Sequence, residues 1–165
     1  MNNVSNLIFL PLCEHPMKYR VLIFEDNDTL RSILYQFIGE LGYEVFTFTD
    51  PSLCPLHKKK FCDCPSKSAC SDIIISDFNM PKVNGTEFIK DMWKKGCKVN
   101  NIAIISGNVT PEAAEEFEKL GGKIFRKPFD FEDLKDWLKN CEKVIQENRK
   151  LSNWIVVGGN QSLVN

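Results

Sequence analysis

The sequence lacks an excess of charge of either sign, and it lacks a long apolar run. Its 165 residues carry 21 basic and 22 acidic side chains, for a net charge of −1. This balance gives no electrostatic reason to expect nucleic acid or an anionic membrane as a partner. No segment approaches the roughly 20 consecutive apolar residues of a membrane-spanning helix. We therefore predict no direct DNA binding and no membrane insertion.

The amino-terminal stretch also lacks the basic start of a secretory signal. "NLIFLPLC" is apolar, but no Lys or Arg precedes it and a proline interrupts it. Met17 stands directly before "KYRVLIF", where the first strand is predicted. We predict a flexible extension over residues 1–17, and the first sixteen residues are either a disordered arm or the product of a misassigned start site.

Seven cysteines are present, an odd number, and they do not suit a small disulfide scaffold. Strand and helix patterns alternate along the chain, and the hydrophobic content of 43% is enough for an ordinary core. The cysteines therefore indicate a reducing cytoplasm, in which they are packed, metal-bound or redox-active.

Five short β-rich runs alternate with helical patterns. The predicted strands are residues 19–24, 43–48, 72–76, 101–106 and 123–126. The predicted helices begin near Leu30, Gly85, Pro111 and Asp130. Thr110 and Asp130 are the predicted caps of the last two. The last helix has an apolar stripe of Leu134, Trp137, Leu138, Cys141, Val144 and Ile145. Such alternation predicts an α/β domain: a doubly wound parallel sheet covered by helices on both faces.

Polar side chains follow four of these strands. Glu25 and Asp26 follow the first strand, Asp77 ends the third, Ser106 ends the fourth, and Lys127 follows the fifth. The carboxyl ends of parallel strands share one edge, so three carboxylates, a hydroxyl and an ammonium should converge there. A bare cluster of carboxylates repels itself, whereas Mg²⁺ prefers such oxygen ligands. A carboxylate beside Mg²⁺ can accept a phosphoryl group, which the lysine and the hydroxyl can hydrogen-bond.

Each of these residues taken alone has a purely structural explanation. Glu25 and Asp26 could favour a helix amino terminus, Asp77 could be a turn residue, and Lys127 could be a solvated side chain. The functional interpretation depends on their joint placement at one edge of the sheet.

Four motifs together resemble the receiver domain of two-component response regulators. "VLIFEDND", "IIISDFNMPKVNG", "AIISGN" and "KPF" stand in that family's order and spacing. The resemblance covers residues 18–146, with a Cys-rich insertion at 50–71 and a tail at 147–165. It implies a flavodoxin-like sheet with the strand order 2-1-3-4-5.

The resemblance implies a role for each matching residue. Asp77 would be the phosphorylated residue, and Glu25, Asp26, Asp77 and the backbone carbonyl of Asn79 would hold Mg²⁺. Ser106 would be the switch hydroxyl, and Lys127 would pair with the phosphoryl group. Met80-Pro81 and Gly85 would shape the loop after the acceptor, and Pro128 would follow a cis bond.

One position departs from the family pattern. The family often has a switch aromatic three residues before the lysine, but Ile124 stands there and Phe125 follows. The short Gly121-Gly122 turn leaves this register open by one residue. The departure puts the coupling between Ser106 and an aromatic in question, but it does not affect the chemistry at Asp77.

The insertion contains five soft metal ligands within seventeen residues: Cys54, His57, Cys62, Cys64 and Cys70. Four of them could hold Zn²⁺ in a tetrahedron, although the paired CxxC motifs of common zinc sites are missing. A redox pair and incidental cysteines are the alternatives. Cys13, Cys97 and Cys141 look unrelated to this cluster, and the lysines at 58–60 are predicted to form a solvated face.

The resemblance implies a single-domain response regulator in the cytoplasm. A sensor histidine kinase or phosphotransfer protein would phosphorylate Asp77, and the domain would signal to a partner or a homodimer, or carry the phosphoryl group in a phosphorelay. The signalling face would be helix 4, strand 5 and helix 5 in the family's numbering. The alternatives are a metal- or redox-sensing module built on the insertion, and a haloacid-dehalogenase-like phosphatase, in which Asn79 would stand where the general acid is needed.

Overall fold

A computed structural model describes residues 18–64, 68–81 and 83–152 of the chain. The predicted extension at 1–17 and the tail beyond Ser152 lie outside these residues. None of the helices in the described ranges has the length and apolar composition that crossing a membrane requires.

The elements follow the predicted alternation closely. The strands are β1 (Arg20–Phe24), β2 (Glu44–Phe48), β3 (Ile73–Asp77), β4 (Asn101–Ser106) and β5 (Lys123–Arg126). The helices are α1 (Asp28–Glu40), α2 (Gly85–Lys94), α3 (Pro111–Lys119) and α4 (Phe131–Val144). Thr110 and Asp130 cap α3 and α4 as predicted, because their side chains accept hydrogen bonds from the N–H groups of Ala113 and Glu132.

All five strands pair in parallel, in the order β2-β1-β3-β4-β5. This is the predicted order, and it makes β1 and β3 neighbours. Phe24 pairs with Ser76, and Asp77 pairs with Ile105, so the ends of β1, β3 and β4 are level with one another. The edge that carries the predicted site is therefore a single row across the sheet.

The isoleucines of β3 serve two cores, one on each face of the sheet. Ile74 packs in a cluster with residues of α2, α3 and the insertion. Ile73 and Ile75 pack on the opposite face with residues of α1 and α4. An apolar run without alternation is needed because side chains pointing to both faces are buried.

The apolar stripe predicted for α4 is partly wrong. Leu134, Leu138 and Cys141 are buried as predicted, but Val144 is 72% exposed. Val144 is the last residue of the helix, and Ile145, its C-cap, has an extended backbone and packs on the core. The stripe therefore continues at Ile145, and only Val144 departs from it.

The insertion occupies the connection between β2 and β3. It begins with two short 3₁₀ helices, Pro51–Leu53 and Pro55–Lys58, where only irregular structure was predicted. Asp50 caps the first of them by accepting a hydrogen bond from the N–H of Ser52 at 2.7 Å. Leu56 is buried in the same core as α2 and α3, so the insertion covers that face of the sheet in place of a helix.

The segment after α4 crosses the amino ends of β1 and β3. The guanidinium of Arg149 pairs with the carboxylate of Asp72, and it lies 4.7 Å from the ring centroid of Tyr19. The N–H of Ser152 donates to the Ala69 carbonyl at 2.8 Å, and the Ser152 carbonyl accepts from the Arg20 side chain at 3.1 Å. Residues 149–152 therefore pack on the domain.

Arg149→Met should lower the free energy of unfolding by about 2 kcal/mol, because a buried carboxylate loses a charged partner. Asp72 keeps one hydrogen bond, from the backbone N–H of Arg20 at 2.8 Å, which limits the loss. Urea unfolding measures the change, with Lys150→Met at the adjacent exposed position as the control. Equal stabilities of the two variants would contradict a structural role for the Arg149–Asp72 pair.

Candidate functional site

The predicted site residues lie in one row at the carboxyl edge of the sheet. Glu25 follows β1, Asp77 ends β3, Ser106 ends β4 and Lys127 follows β5. The N–H of Lys127 donates to the Ser106 carbonyl at 2.7 Å, which extends the pairing of β4 and β5 to the site. The parallel register thus brings together residues that are far apart along the chain.

Three carboxylates meet at this edge, as the sequence predicts. Glu25, Asp26 and Asp77 each place an oxygen within 4.8 Å of the others. Glu25 and Asp77 are buried, whereas Asp26 is exposed. Among the described residues, no other group of three metal-ligand side chains comes this close.

The carboxylate of Glu25 is only half satisfied. Its Oε1 accepts a hydrogen bond from the Asn27 N–H at 3.0 Å, while Oε2 is buried and accepts none. Burial raises the pKa of Glu25, and the charges of Asp77 and Asp26 raise it further, against the opposing effects of the Asn27 N–H and Lys127. A buried carboxylate oxygen that makes no hydrogen bond, and whose nearest cation is the Lys127 ammonium at 3.5 Å, can still take a metal ion as a partner.

Lys127 lies between the two buried carboxylates. Its ammonium forms an ion pair with Oδ1 of Asp77 and lies 3.5 Å from Oε2 of Glu25. Burial opposes its charge, but the hydrogen bond to Asp77 and the charges of Glu25 and Asp77 outweigh that effect and raise the pKa of Lys127. The lysine is therefore held protonated beside the predicted phosphoryl acceptor.

The loop after β3 holds Asp77 from its backbone side. The N–H of Asn79 donates to Oδ2 of Asp77 at 2.6 Å. The N–H of Gly85 donates to the Phe78 carbonyl at 2.8 Å, which closes the loop against the strand end. An added Cβ at Gly85 would overlap the Asp77 carbonyl oxygen, so the absence of a side chain allows α2 to begin there.

Comparison with known proteins decides the family. A sequence model of the family described as "Response regulator receiver domain" matches residues 21–139. The chain belongs to the response regulator receiver domain family. Proteins of this family act in two-component signalling, where they interact with histidine kinases or phosphotransfer proteins.

Several curated relatives are bacterial regulators. "Sensory/regulatory protein RpfC" of Xanthomonas campestris is 28% identical over 129 residues, which are 73% of this chain and 17% of that protein. "Transcriptional regulatory protein FlgR" of Helicobacter pylori is 30% identical over 79% of this chain and 32% of its own length. The chain thus matches a minor part of these proteins. "Chemotaxis protein CheY1" of Helicobacter pylori is 25% identical, and the match covers 73% of this chain and 94% of that protein.

Solved structures share the fold. Chemotaxis response regulator CheY4 of Vibrio cholerae superposes with a TM-score of 0.54 and 26% identity, over 75% of this chain and 98% of that one. A receiver domain from Clostridium thermocellum gives a TM-score of 0.62 at 23% identity, over 76% and 94% of the two chains. The flavodoxin-like fold predicted for this receiver domain is confirmed.

The acidic edge of this receiver domain fits a hard divalent cation. Receiver domains bind Mg²⁺ in an acidic pocket, and the pocket is present here. Three carboxylate oxygens come close together, and one of them, Oε2 of Glu25, is buried without a hydrogen-bond donor. Mg²⁺ takes one or two protein carboxylates and keeps several waters, which suits one exposed and two buried groups.

Ser106 is buried at the end of β4, and its Oγ accepts a hydrogen bond from the Asn108 N–H at 3.2 Å.

Ile124 and Phe125 are both buried in β5, on opposite faces of the sheet. Ile124 packs in the cluster of α3, whereas the ring of Phe125 lies 5.8 Å from that of Trp137 in α4. The position three residues before Lys127 is aliphatic and buried, and the Lys127-Pro128 bond is cis.

Two residues near the site were missed by the sequence reasoning. Arg31 donates to the carbonyl of Glu25 at 2.9 Å and to that of Asp26 at 3.4 Å, so it fixes the backbone of the acidic pair. The Asn108 side chain accepts from Asn79 Nδ2 at 2.7 Å and links the loops after β3 and β4. Arg31 lies outside the quoted motifs, and Asn108 ends the motif "AIISGN" but was given no role there, because both residues act through contacts that depend on the fold.

The soft ligands of the insertion are arranged differently from the prediction. Cys54, Cys64 and Cys70 are buried in the core of α2 and α3, and Cys62 and Cys97 pack against them. The separation of Cys97 from this group was therefore wrong. No three of the described sulfur and nitrogen ligands come within 4.8 Å of one another, so the predicted zinc set with His57 is not assembled as a ready site.

Proposed function

We propose that this receiver domain accepts a phosphoryl group on Asp77 from a sensor histidine kinase or a phosphotransfer protein. Glu25, Asp26, Asp77 and the carbonyl of Asn79 would hold the Mg²⁺. The observation that carries the proposal is a buried acidic pair, Glu25 and Asp77, held beside a protonated lysine, with one carboxylate oxygen left without a donor. Burying two carboxylates side by side destabilises the fold, and a bound cation would offset that cost.

The proposed transfer is a displacement at phosphorus. A carboxylate oxygen of Asp77 forms the new O–P bond while the P–N bond of the donor phosphohistidine breaks, and the electron pair leaves with the imidazole nitrogen. The Asn79 N–H and the Lys127 ammonium already bond the two oxygens of Asp77 and so fix its orientation. Mg²⁺, when bound, would neutralise charge between the acceptor and the incoming phosphoryl oxygens.

The switch that follows would use groups already poised at the edge. Lys127 would exchange its bond to Asp77 for one to a phosphoryl oxygen, since both are anionic acceptors. Ser106 would give up the hydrogen bond that it accepts from Asn108 and donate to the phosphoryl group. The loop after β4 would move with it and alter the face of α3, β5 and α4.

We propose that this face binds a basic partner rather than a second copy. A groove of about 830 Å³ lies between α3, β5 and α4. Five carboxylates line it against two cations; the carboxylates are Glu115, Glu118, Asp130, Asp133 and Asp136, and the cations are Lys123 and Arg126. Like charges facing each other would oppose a symmetric dimer, whereas basic side chains would complement the groove.

Solution mass with and without beryllofluoride tests the choice of partner. We expect a monomer in both states at micromolar concentration, because the acidic grooves repel each other. Lys123→Glu, which adds to the negative charge, should leave the mass unchanged. A dimer that forms only with beryllofluoride would refute the basic-partner proposal and leave phosphorylation intact.

As a single-domain regulator in the cytoplasm, the protein would resemble CheY1, whose whole length is nearly covered by the match. The six described cysteines are free thiols, which suits a reducing compartment. Output would then go through a partner or through onward transfer of the phosphoryl group.

The direct test is incubation of the full chain with acetyl phosphate, followed by intact mass analysis. We expect one phosphoryl group per chain with Mg²⁺ and none after chelation with EDTA. Turnover of phosphate esters in excess of the protein would instead favour the phosphatase alternative. Membership of the receiver family gives that alternative no support.

Glu25→Gln should stabilise the metal-free protein by about 1 kcal/mol at neutral pH, because a buried charge is removed. The raised pKa of Glu25 means that the folded state binds its proton more tightly than the unfolded state. That contribution stabilises the fold below the usual carboxyl range and is lost as pH rises through the raised value. Mg²⁺ competes with that proton, so its binding should weaken as pH falls through the same range.

Thermal melting at neutral and acidic pH, with and without Mg²⁺, measures both effects. The wild type should gain stability from Mg²⁺ at neutral pH, and Glu25→Gln should gain less. Glu147→Gln, at an exposed position after α4, is the matched control. An equal response to Mg²⁺ in wild type and Glu25→Gln would remove Glu25 from the metal site.

A further inference from the structure

Five cysteines from separate parts of the chain meet on one face of the sheet. Cys54 lies between the two 3₁₀ helices, Cys62, Cys64 and Cys70 follow in the insertion, and Cys97 lies just after α2. Cys54, Cys64 and Cys70 are at most 7% exposed. This group, here called the thiol cluster, contains none of the residues proposed for the chemistry of Asp77.

Backbone contacts fix the insertion against the end of α2. The N–H of Cys62 donates to the Lys95 carbonyl at 2.8 Å. The Lys95 ammonium donates to the carbonyls of Leu56 and His57, at 3.3 and 3.0 Å. These bonds bring Cys97, two residues beyond Lys95, to the cysteines of the insertion.

The thiols interact with one another in a connected network. Cys64 lies close enough to Cys62 and to Cys70 to raise the pKa of both thiols. Cys54 and Cys97 lie within electrostatic range of each other and of both Cys62 and Cys64. Cys54, Cys62, Cys64 and Cys97 therefore interact in all six pairwise combinations.

The N–H of His57 donates to the backbone carbonyl of Cys54 at 2.9 Å and so closes the turn that carries this thiol. Backbone N–H groups also lie near three of the four sulfurs: Leu56 and His57 near Cys54, Cys64 and Lys98 near Cys62, and Val99 near Cys97. Each of them opposes the rise in the pKa of the thiol that it faces. N–H groups placed near a sulfur favour the thiolate over the thiol.

The same thiols are poorly suited to redox sensing. A reactive cysteine needs a lowered pKa and access to solvent. Burial instead raises the pKa of Cys54 to about 11 and that of Cys97 to about 12. A shared metal ion better explains why thiols from separate segments gather where the insertion is bonded to the end of α2.

We propose that Cys54, Cys62, Cys64 and Cys97 bind one Zn²⁺ ion. Four sulfur ligands in a tetrahedron suit zinc, with Zn–S distances of about 2.3 Å and sulfurs about 3.8 Å apart. No three of these sulfurs lie within 4.8 Å of one another, so zinc binding would have to draw them together. Four thiols give up their protons to solvent and form four Zn–S bonds, with no change in oxidation state.

His57 and Cys70 have supporting places in this arrangement. The His57 N–H donates to the Cys54 carbonyl at 2.9 Å, and the His57 carbonyl accepts from the Lys95 ammonium at 3.0 Å, so backbone bonds set its position. Cys70 contacts the cluster through Cys64. A zinc ion with four thiolates carries a net charge of about −2. The exposed Lys58, at the end of the second 3₁₀ helix, and Lys60 just after it can offset that charge, while Lys59 pairs with Asp63. The ion would fasten the insertion to α2 in place of a helix.

Metal analysis of the full chain, purified with reductant, tests the proposal. We expect about one zinc per chain, or uptake of one equivalent by the metal-stripped, reduced protein. Cys54→Ser and Cys97→Ser should each weaken zinc affinity on the order of 100-fold or more. His57→Ala and Cys141→Ser should retain it; the latter removes a buried thiol on the other face of the sheet.

Cobalt titration of the wild type checks the ligands without any substitution. Four thiolates should give strong sulfur-to-cobalt charge-transfer bands and the visible spectrum of a tetrahedral ion. The absence of zinc and cobalt uptake by reduced wild type would overturn the proposal. So would a Cys64–Cys70 disulfide in metal-free protein, bound iron with visible absorption, or zinc lost in His57→Ala but kept in Cys97→Ser.

Discussion

Asp77→Asn should abolish phosphoryl transfer to this receiver domain. An amide has no anionic oxygen to attack phosphorus, and the remaining carboxylates, Glu25 and Asp26, belong to the predicted metal site. The fold should survive, because asparagine has the same shape and its Oδ1 can still accept from the N–H of Asn79. Loss of the label would then report chemistry rather than unfolding.

The measurement is intact mass after incubation with acetyl phosphate and Mg²⁺, with circular dichroism as a check on folding. We expect stoichiometric labelling of the wild type and background labelling of the variant. Asp136→Asn makes the same change at an exposed position on α4 and should be labelled like the wild type. Equal labelling of Asp77→Asn and wild type would place the acceptor elsewhere.

Gly85→Ala should destabilise the domain by about 3 kcal/mol, because it forces two backbone segments apart. The new Cβ would overlap the Asp77 carbonyl oxygen and lie 3.0 Å from its carbonyl carbon and 3.2 Å from Cα of Phe78. Neither segment is the free end of a flexible side chain, so α2 must shift. Phe88 and Met92 of that helix are about 1% exposed, and a shift would open the core that they fill.

The chain provides a control of opposite sign for the same substitution. Gly39 lies in α1 with nothing within 4 Å of an added Cβ. Gly39→Ala should therefore stabilise the domain by about 0.8 kcal/mol through helix propensity alone. Urea unfolding compares the two variants, and a Gly85→Ala protein as stable as Gly39→Ala would show that the loop after β3 can yield.

Local patterns predicted the fold because each strand has a strong local signal. The apolar residues of β3 and the helix caps Thr110 and Asp130 are visible in short windows of sequence. Because parallel strands end at a common edge, Glu25, Asp26 and Asp77 could be placed together from their positions at strand ends. Lys127 followed from the same rule, and it does pair with Asp77.

Contacts between distant segments could not be predicted in the same way. Cys97 joins the insertion only because α2 ends where Lys95 can bond to Cys62. Asn108 contacts Asn79 only because the fold places the loops after β3 and β4 side by side. Val144 fits the period of α4 but is exposed, whereas Ile145 after it packs on the core, and periodicity does not distinguish these two neighbours.

The two-sided burial of β3 has a mechanical consequence. The sheet separates the two cores, and the side chains on each of its faces pack in only one of them. The insertion shares its core with α2 and α3, while α1 and α4 pack in the other. A metal ion bound by the insertion would therefore first affect the packing of α2 and α3, the helices that follow the loops after β3 and β4. Its effect on α1 and α4 would have to pass through the sheet.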